Sequence, residues 1–135
     1  MSDFGELRSK IASFLDIDDK ISTGSGRKNT QFTIDMAIKY IEENYRRDIS
    51  LHDIAGYISL SPCHTSHLFK QCTGDSFVIY LNRFRINKSK ELLLKTNKKI
   101  SEISTEVGFT NKRHFSRTFR NYTGISPIEY RNKFL

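Results

Sequence analysis

Apolar side chains recur along this chain at intervals of three and four residues, the spacing that places them on one face of an α-helix. The stripe is clearest in segment 34–45, where its members are Ile34, Ala37, Ile38, Ile41 and Tyr45. Ser50 precedes a second such stripe, and Ser61-Pro62 begins a third helix that stops at Gly74. No segment has the strict alternation of a β-strand. The pattern predicts an all-α fold.

A polar stretch near the N-terminus divides the chain. Residues 23–30 contain two Gly and no apolar side chain, so we expect a flexible linker there. Ahead of it, four apolar residues at helical spacing predict one short amphipathic helix: Phe4, Leu7, Ile11 and Leu15. We therefore expect an N-terminal extension over residues 1–30 and a main domain over 31–135. The extension is expected to dock on the main domain, to mediate self-association or to be the remnant of a larger upstream module.

The main domain repeats itself with a period of about 50 residues. From Ile54 as far as Ser61, the chain aligns at an offset of 49 with the stretch from Ile103 to Thr110. Beyond that point the offset becomes 50, with one residue inserted near the start of the second helix of the repeat. The aligned pairs there include His64 with His114, Phe69 with Phe119 and Gly74 with Gly124. Each copy is a short helix, a tight turn and a second helix, which is a helix-turn-helix.

The repeat sets the expected architecture of about seven helices. We place the first helix-turn-helix at about 51–73, a long linking helix at about 75–95 and the second helix-turn-helix at about 99–122. A linking helix of about 20 residues is roughly 30 Å long, close to the roughly 34 Å of one DNA turn. The two units together predict a monomer that places two recognition helices in successive major grooves. A packed αα-hairpin without any nucleic-acid role is the alternative for either copy alone.

The distribution of charge favours a polyanionic partner. The formal net charge is +7, but residues 82–135 contain 13 Lys and Arg against four Glu, whereas residues 27–81 contain six basic and six acidic side chains. Four of the basic residues lie within nine positions that hold no acid, namely Lys112, Arg113, Arg117 and Arg120. A solvated helix usually mixes charge signs, so this run indicates nucleic acid.

Length and cysteine content exclude several classes of protein. A chain of 135 residues is long enough for one small domain with its own core. Two Cys cannot form a disulfide scaffold, no apolar run approaches the roughly 20 residues of a membrane span, and the N-terminus lacks the features of a signal peptide. We expect a soluble cytoplasmic protein, associated with the nucleoid and not with a membrane.

Segment 100–131 carries the most specific pattern in the chain. It resembles the second helix-turn-helix of the AraC/XylS family of bacterial transcription regulators in the motifs Val107-Gly108-Phe109, Phe115-Ser116-Arg117, Phe119-Arg120, Tyr122-Thr123-Gly124, Ser126-Pro127 and Tyr130-Arg131. Upstream, the resemblance rests on Leu68-Phe69-Lys70, Gly74, Phe77, Arg85-Ile86 and Leu92-Leu93. It spans about residues 33–133. It implies a DNA-binding transcription activator that binds a promoter operator and contacts RNA polymerase.

Three positions depart from the family pattern. Ser104 and Ser89 stand where Ala is usual, and both are small enough to preserve the packing. Thr65 stands where an apolar residue is common, so we expect a less rigid first unit. Residues 1–30 are too short for the ligand-binding or dimerisation domain of the family's larger members. The chain therefore resembles either a stand-alone member or a DNA-binding domain separated from its regulatory part.

Helical geometry and the resemblance together nominate the DNA-contacting side chains of the first unit. Because Leu68 and Phe69 face the core, the outer face of the recognition helix consists of Cys63, Ser66, His67 and Lys70. The resemblance implies base contacts at the first three, by van der Waals contact from the thiol and by hydrogen bonds from the other two. Ser61 and Lys70 are candidates for contact with the sugar-phosphate backbone.

The second recognition helix offers longer and more basic side chains. Its candidates for base contact are Lys112, Arg113, His114 and Arg117, and those for backbone contact are Thr110, Arg120 and Asn121. A bidentate contact of Arg113 or Arg117 with guanine is worth about 1–3 kcal/mol of discrimination, and the alternative for each is a phosphate contact or a solvated charge. Since the first helix carries only one Lys, we expect the second unit to supply most of the salt-dependent affinity.

Other functions find little support in the sequence. Cys63 and His67 share a helix face, but no second pair of ligands lies nearby, so we expect neither a metal nor a cofactor. The sequence contains no catalytic Ser-His-Asp arrangement, paired carboxylates or phosphate-binding Gly loop, so we do not expect an enzyme. The alternative that remains is a protein-interaction module that binds a partner regulator or RNA polymerase and has incidental DNA affinity.

Overall fold

The computed structural model describes residues 24–135, and every regular element in that range is a helix. The seven helices are α1 Gly24–Asn44, α2 Leu51–Ile58, α3 Pro62–Thr73, α4 Phe77–Lys95, α5 Ile100–Glu106, α6 Lys112–Thr123 and α7 Pro127–Phe134. The expected all-α fold, with two helix-turn-helix units joined by a long helix, is confirmed. Within residues 24–135, no helix combines the length and the apolar character needed to cross a membrane.

The described chain forms two compact units, each with one helix-turn-helix. The first consists of residues 24–43 and 49–80, and the second of residues 44–48 and 81–135. The first unit therefore contains the α2–α3 pair and the second the α5–α6 pair. The amphipathic helix expected between Phe4 and Leu15 lies outside the described residues.

Local capping interactions set the start of α2 and α3. The Ser50 hydroxyl accepts a hydrogen bond from the Asp53 amide at 3.2 Å, and the Asp53 carboxylate accepts one from the Ser50 amide at 2.8 Å. The Ser61 hydroxyl accepts from the His64 amide at 3.1 Å, and Pro62 is the first residue of α3, where it needs no hydrogen-bond partner. These caps satisfy amides that have no acceptor inside the helix, which is why the sequence signals were readable.

The core of the first unit is built on the apolar stripes of its helices. Four residues of the α1 stripe are at most 1% exposed, namely Ile34, Ala37, Ile38 and Ile41. Phe69 of α3 lies edge-on to Phe77 and Tyr80, with ring centroids 6.2 and 5.2 Å away. The apolar stripe of α2 is buried in its middle, at Ile54 and Ala55, whereas Leu51 and Ile58 at its two ends are partly exposed. Leu68 is also only partly buried.

Aromatic rings form a continuous core in the second unit. Phe109, Phe115, Phe119 and Tyr130 follow one another at centroid distances of 5.3, 5.8 and 5.4 Å. Aromatic pairs in such tilted or edge-on geometries contribute about 0.5–1.5 kcal/mol beyond their buried area. Gly124, with φ of 86°, ends α6 in the left-handed conformation that glycine adopts without steric cost. Aromatic packing thus fixes the inward face of α6, and the left-handed Gly124 ends the helix.

Arg85 holds the turn that follows α1, and both partners belong to the second unit. Its Nε donates to the Tyr45 carbonyl at 2.9 Å and its Nη2 to the Arg47 carbonyl at 3.0 Å, while the residue is only 8% exposed. Burial lowers the pKa of the Arg85 guanidinium, and the negative charge of Asp48 opposes that shift. An arginine remains charged in proteins, so a fixed positive charge faces carbonyls that lack helical partners.

Arg131 caps α4 in the same manner. Its Nε donates to the Leu93 carbonyl at 2.9 Å and its Nη2 to the Thr96 carbonyl at 3.2 Å. Each arginine therefore binds backbone carbonyls that lie 35 to 40 residues earlier in the chain, just ahead of a helix-turn-helix. Side chains brought in by tertiary folding are one means of satisfying carbonyls that have no partner inside a helix, beside water and tightened final turns.

Two local expectations differ from the structure. Residues 24–30, expected as part of a flexible linker, belong to α1, because extending a helix that is already anchored by its buried stripe avoids the cost of nucleation. The structural counterpart of Ser61 is Asn111 rather than Thr110, since Ser61 and Asn111 each cap the recognition helix that follows. Thr110 is therefore the inserted residue, and the turn before the cap absorbs it.

Candidate nucleic-acid interface

The outer face of α3 lines an open groove in the first unit. The groove has a volume of about 550 Å³ and is lined by Leu51, Pro62, Cys63, Ser66, His67, Lys70 and Gln71. The polar side chains and the thiol in this set are exposed. Ser61 is also exposed, and because its hydroxyl oxygen accepts the capping bond, its proton remains available to a phosphate oxygen. The structure thus brings the base-contact candidates of the first unit and Lys70 together on one surface.

The outer face of α6 is basic, and the basic residues at its start have no nearby carboxylate among the residues that the structure describes. Lys112, Arg113 and Arg117 are exposed, and in the described part of the chain no carboxylate oxygen lies within 4.0 Å of their charged nitrogens. Arg113 and Arg117 are separated by four residues and therefore share one side of the helix. A polyanion that binds these three side chains displaces no ion pair with the described part of the chain.

His114 links the outer face of α6 to the turn that precedes it. Its amide donates to the Asn111 side chain at 2.7 Å, which caps the helix. Its imidazole ring lies edge-on against Phe109, with centroids 5.3 Å apart, although the residue as a whole is exposed. The orientation of this base-contact candidate is therefore set by a buried neighbour.

Arg120 has an intramolecular partner, unlike the basic residues at the start of α6. Its Nη2 lies 3.5 Å from Oε1 of Glu129, and both side chains are more than half exposed. Hydrogen bonds from the Ser126 amide, and to a smaller degree the charge of Arg120, hold the pKa of Glu129 below its ordinary value. Because the pair is open to solvent, a phosphate group can replace the carboxylate at Arg120. The two other backbone candidates of this unit, Thr110 and Asn121, are exposed.

The two recognition helices are supported differently from within. Thr65 in α3 occupies the position that Phe115 occupies in α6 at the offset of 50. Thr65 is 1% exposed and its hydroxyl has no hydrogen-bond partner, whereas Phe115 is fully buried between two aromatic rings. A buried hydroxyl without a partner costs about 1–3 kcal/mol. The internal support of α3 is therefore weaker than that of α6.

One polar residue of the groove was not predicted from the sequence. Gln71 lines the same surface as the base-contact candidates and can both donate and accept hydrogen bonds. It follows His67 by four residues, and that spacing alone would have placed it on the outer face. The predicted outer face ended at Lys70 and therefore did not include it.

The two cysteines differ in their exposure. Cys63 is exposed, Cys72 is buried, and both are free thiols. Among the residues that the structure describes, no three side chains of His, Cys, Asp or Glu lie close enough together to hold a metal ion. Cys63 and His67 both line the groove of the first unit.

The geometry of the two units defines a class of protein. Twice in one chain, a capped turn presents an exposed second helix whose inward face is buried, which is the arrangement of a double helix-turn-helix protein. A family model described as "Helix-turn-helix domain" matches residues 54–133, from α2 to α7. The chain belongs to the AraC/XylS family of DNA-binding transcription regulators.

Curated relatives are regulators of greater length. The chain is 32% identical over 98 residues to the bifunctional transcriptional activator/DNA repair enzyme AdaA of Bacillus subtilis. It is 35% identical over 101 residues to the lactose operon transcription activator of Staphylococcus xylosus. The alignments cover 73% and 75% of this chain but 46% and 36% of those proteins. The chain thus spans less than half the length of these relatives.

Solved structures of similar domains agree with the fold. The C-terminal domain of the response regulator AraT from Geobacillus stearothermophilus matches with a TM-score of 0.74 at 34% identity, over 76% of this chain and 86% of that one. A regulator from Chromobacterium violaceum with an AraC-type DNA-binding domain matches with a TM-score of 0.72 at 35% identity, over 76% and 92%. The DNA-binding domain of AdpA, solved in complex with a target DNA, has the same fold, with a TM-score of 0.71 at 20% identity.

Proposed function

We propose that this chain is a sequence-specific regulator that inserts α3 and α6 into successive major grooves of a promoter operator and activates transcription. The observation that carries the proposal is the outer face of α6, where Lys112, Arg113 and Arg117 are exposed without a nearby carboxylate in the described part of the chain. The internal repeat supports a second insertion by α3. The names of two relatives as transcription activators support activation.

The base contacts are assigned by the chemistry of each exposed side chain. Arg113 and Arg117 present guanidinium groups that match the two acceptors of guanine in the major groove, and Lys112 and His114 add hydrogen-bond donors beside them. In the groove of α3 the corresponding side chains are shorter: Cys63, Ser66 and His67. Short side chains reach base edges only when the helix lies deep in the groove, so we propose that α3 depends more strongly on close fit.

Five further exposed polar residues position the protein on the sugar-phosphate backbone. They are Ser61 and Lys70 in the first unit and Thr110, Arg120 and Asn121 in the second. At Arg120 we propose that a phosphate takes the place of Glu129. Replacing Glu129 with Gln should then strengthen binding to any DNA sequence, because no carboxylate competes with the phosphate.

We further propose that one chain suffices on DNA and that RNA polymerase is the protein partner at the promoter, in the bacterial cytoplasm and nucleoid. A monomer is proposed because two recognition helices are already present in a single chain. Sedimentation of the full chain with an excess of operator duplex tests this point. A complex with two chains per duplex would refute it.

Selection from random DNA sequences followed by footprinting tests the proposed function as a whole. We expect a selected motif that extends over about two helical turns, with protection on one face of the duplex. The competing function is a protein-interaction module with incidental DNA affinity. That module would give salt-dependent binding but no selected motif.

The salt dependence of binding tests how much each unit contributes to the electrostatic part of the affinity. Each phosphate neutralised contributes about 0.9 to the slope of log affinity against log salt concentration. We expect the double substitution Arg113→Ala, Arg117→Ala to reduce that slope more than Lys70→Ala does. A larger reduction for Lys70→Ala would refute the proposal that the second unit supplies most of the electrostatic affinity.

A further inference from the structure

The Arg85 side chain contacts an aromatic ring as well as the backbone of the turn that follows α1. Besides its two bonds to the Tyr45 and Arg47 carbonyls, its guanidinium carbon lies 5.8 Å from the centre of the Phe109 ring. A guanidinium over an aromatic face is held by the ring quadrupole, and more strongly where water is excluded. Phe109 is 4% exposed, so this contact is buried.

The backbone beside Phe109 is fitted to the same arginine. Gly108 has a φ of 102°, and a Cβ atom at this position would lie 2.9 Å from Nε of Arg85 and against the Tyr45 carbonyl oxygen. Only glycine lets the chain approach so closely at this φ. The turn between α5 and α6 is therefore packed directly against the Arg85 side chain.

Phe109 carries this contact to the recognition helix. Its ring meets the imidazole of His114 and the ring of Phe115, with each pair of centroids 5.3 Å apart. His114 lies in the first turn of α6 on the exposed surface, next to Arg113. Within the second unit, a continuous set of contacts thus runs from the turn after α1 through Arg85 and Phe109 to the exposed start of α6.

The geometry points to Arg85 as a positioning residue for DNA readout by the second helix-turn-helix, acting through Phe109 on the start of α6. This inference rests on the proposed function. Without Arg85, Phe109 loses the group packed on its face, and the first turn of α6 loses the neighbour that sets its position. Base contacts require placement to within about 0.5 Å, so a small shift reduces discrimination before it reduces non-specific binding.

Arg131 provides a matched control. Like Arg85, it donates two hydrogen bonds to backbone carbonyls 35 to 40 residues earlier in the chain, just ahead of a helix-turn-helix. No ring contact joins it to the α5–α6 turn within the described residues. Arg85→Met and Arg131→Met therefore remove the same capping chemistry, and only the first removes the contact with Phe109.

The experiment measures discrimination by the full-length chain. The probe is the sequence that the unaltered protein selects, together with its single-base variants, and the positions read by α6 are those where Arg117→Ala lowers discrimination. We expect Arg85→Met to lower discrimination at these positions about tenfold, within the range of one base contact. At the remaining positions the change should stay within about twofold. Arg131→Met should lower thermal stability while leaving the discrimination profile unchanged.

A second readout does not depend on DNA. The imidazole proton signals of His114 sense the current of the Phe109 ring, so Arg85→Met and Phe109→Leu should both move them, whereas Arg131→Met should not. Arg85→Lys, which retains the charge and one donor, covers the case in which Arg85→Met does not fold, and should give an intermediate shift. Unchanged His114 signals and an unchanged profile in a folded Arg85 variant would overturn the inference. A failure of the unaltered protein to select any motif would instead overturn the proposed function.

Discussion

Two buried serines of the second unit provide a matched test of what an unpaired hydroxyl costs. Ser104 in α5 is 1% exposed and its hydroxyl has no hydrogen-bond partner. Ser89 in α4 is fully buried, but its hydroxyl donates to the Ile86 carbonyl at 2.6 Å. Ser104→Ala and Ser89→Ala are the same chemical change in the same compact unit. They differ only in whether a hydrogen bond is lost.

The expected magnitudes follow from two contributions. Each substitution gains about 0.5 kcal/mol in helix propensity, and this contribution cancels between the variants. Ser104→Ala also removes a desolvated hydroxyl, which is worth at least about 1 kcal/mol, whereas Ser89→Ala loses a hydrogen bond worth about 1 kcal/mol. We therefore expect Ser104→Ala to stabilise the unit by about 1.5 kcal/mol and Ser89→Ala to change it by less than about 1 kcal/mol.

Urea unfolding, followed by a signal of the second unit, is the assay. The slope with urea should be the same for both variants, because the exposed surface hardly changes, and the midpoints should differ in favour of Ser104→Ala. In thermal unfolding, a difference of about 2 kcal/mol corresponds to about 8 °C. DNA binding should be equal, since neither serine is exposed. If Ser104→Ala proved no more stable than Ser89→Ala, the assignment of an unpaired hydroxyl at Ser104 would be wrong.

Three further predictions concern other sites. Thr65→Val should raise the unfolding free energy of the first unit by about 1 kcal/mol in the same assay, because it removes the unpaired hydroxyl and keeps the shape; destabilisation would contradict this. Gly108→Ala should lower the unfolding free energy by more than about 2 kcal/mol, because the added carbon strains the backbone and overlaps its neighbours. Gly124→Ala should lower it by about half as much, because no heavy atom lies within 4 Å of the added carbon. Because the pKa of Glu129 is lowered in the folded state, its stabilising contribution is complete above the ordinary glutamate pKa of about 4.3 and is lost as the pH falls through the lowered value. Glu129→Gln should therefore flatten the acid limb of stability against pH, and an unchanged limb would refute the assignment.

The helix starts were predictable because their signals are local. The Ser50 and Ser61 caps each act over three residues, so the sequence contains both partners of the interaction. The same holds for Gly74 and Gly124, whose φ values of 82° and 86° end α3 and α6. The linker predicted at residues 24–30 differs from the structure because a helix extends from the buried turns that follow this stretch, whatever the composition of the stretch itself.

The candidate site was partly predictable for a related reason. The outer faces of α3 and α6 follow from helical periodicity, which places Ser66 beside His67 and Arg113 beside Arg117. The sequence could not indicate that Arg120 is paired with Glu129, because exposed side chains nine residues apart meet only when α6 and α7 are packed. The counterpart of Ser61 was likewise misplaced by one residue, since alignment cannot distinguish Thr110 from Asn111 as the cap.

The sequence by itself determined that the protein is helical, that it contains two related helix-turn-helix units and that its basic charge is concentrated in the second. These properties depend on periodicity, capping and composition, which act between neighbours along the chain. Only the tertiary structure decided that Arg85 joins the turn after α1 to the turn before α6, and that the Thr65 and Ser104 hydroxyls are left without hydrogen-bond partners. Contacts between residues about 40 positions apart, and the satisfaction of buried polar groups, exist only once the helices have packed.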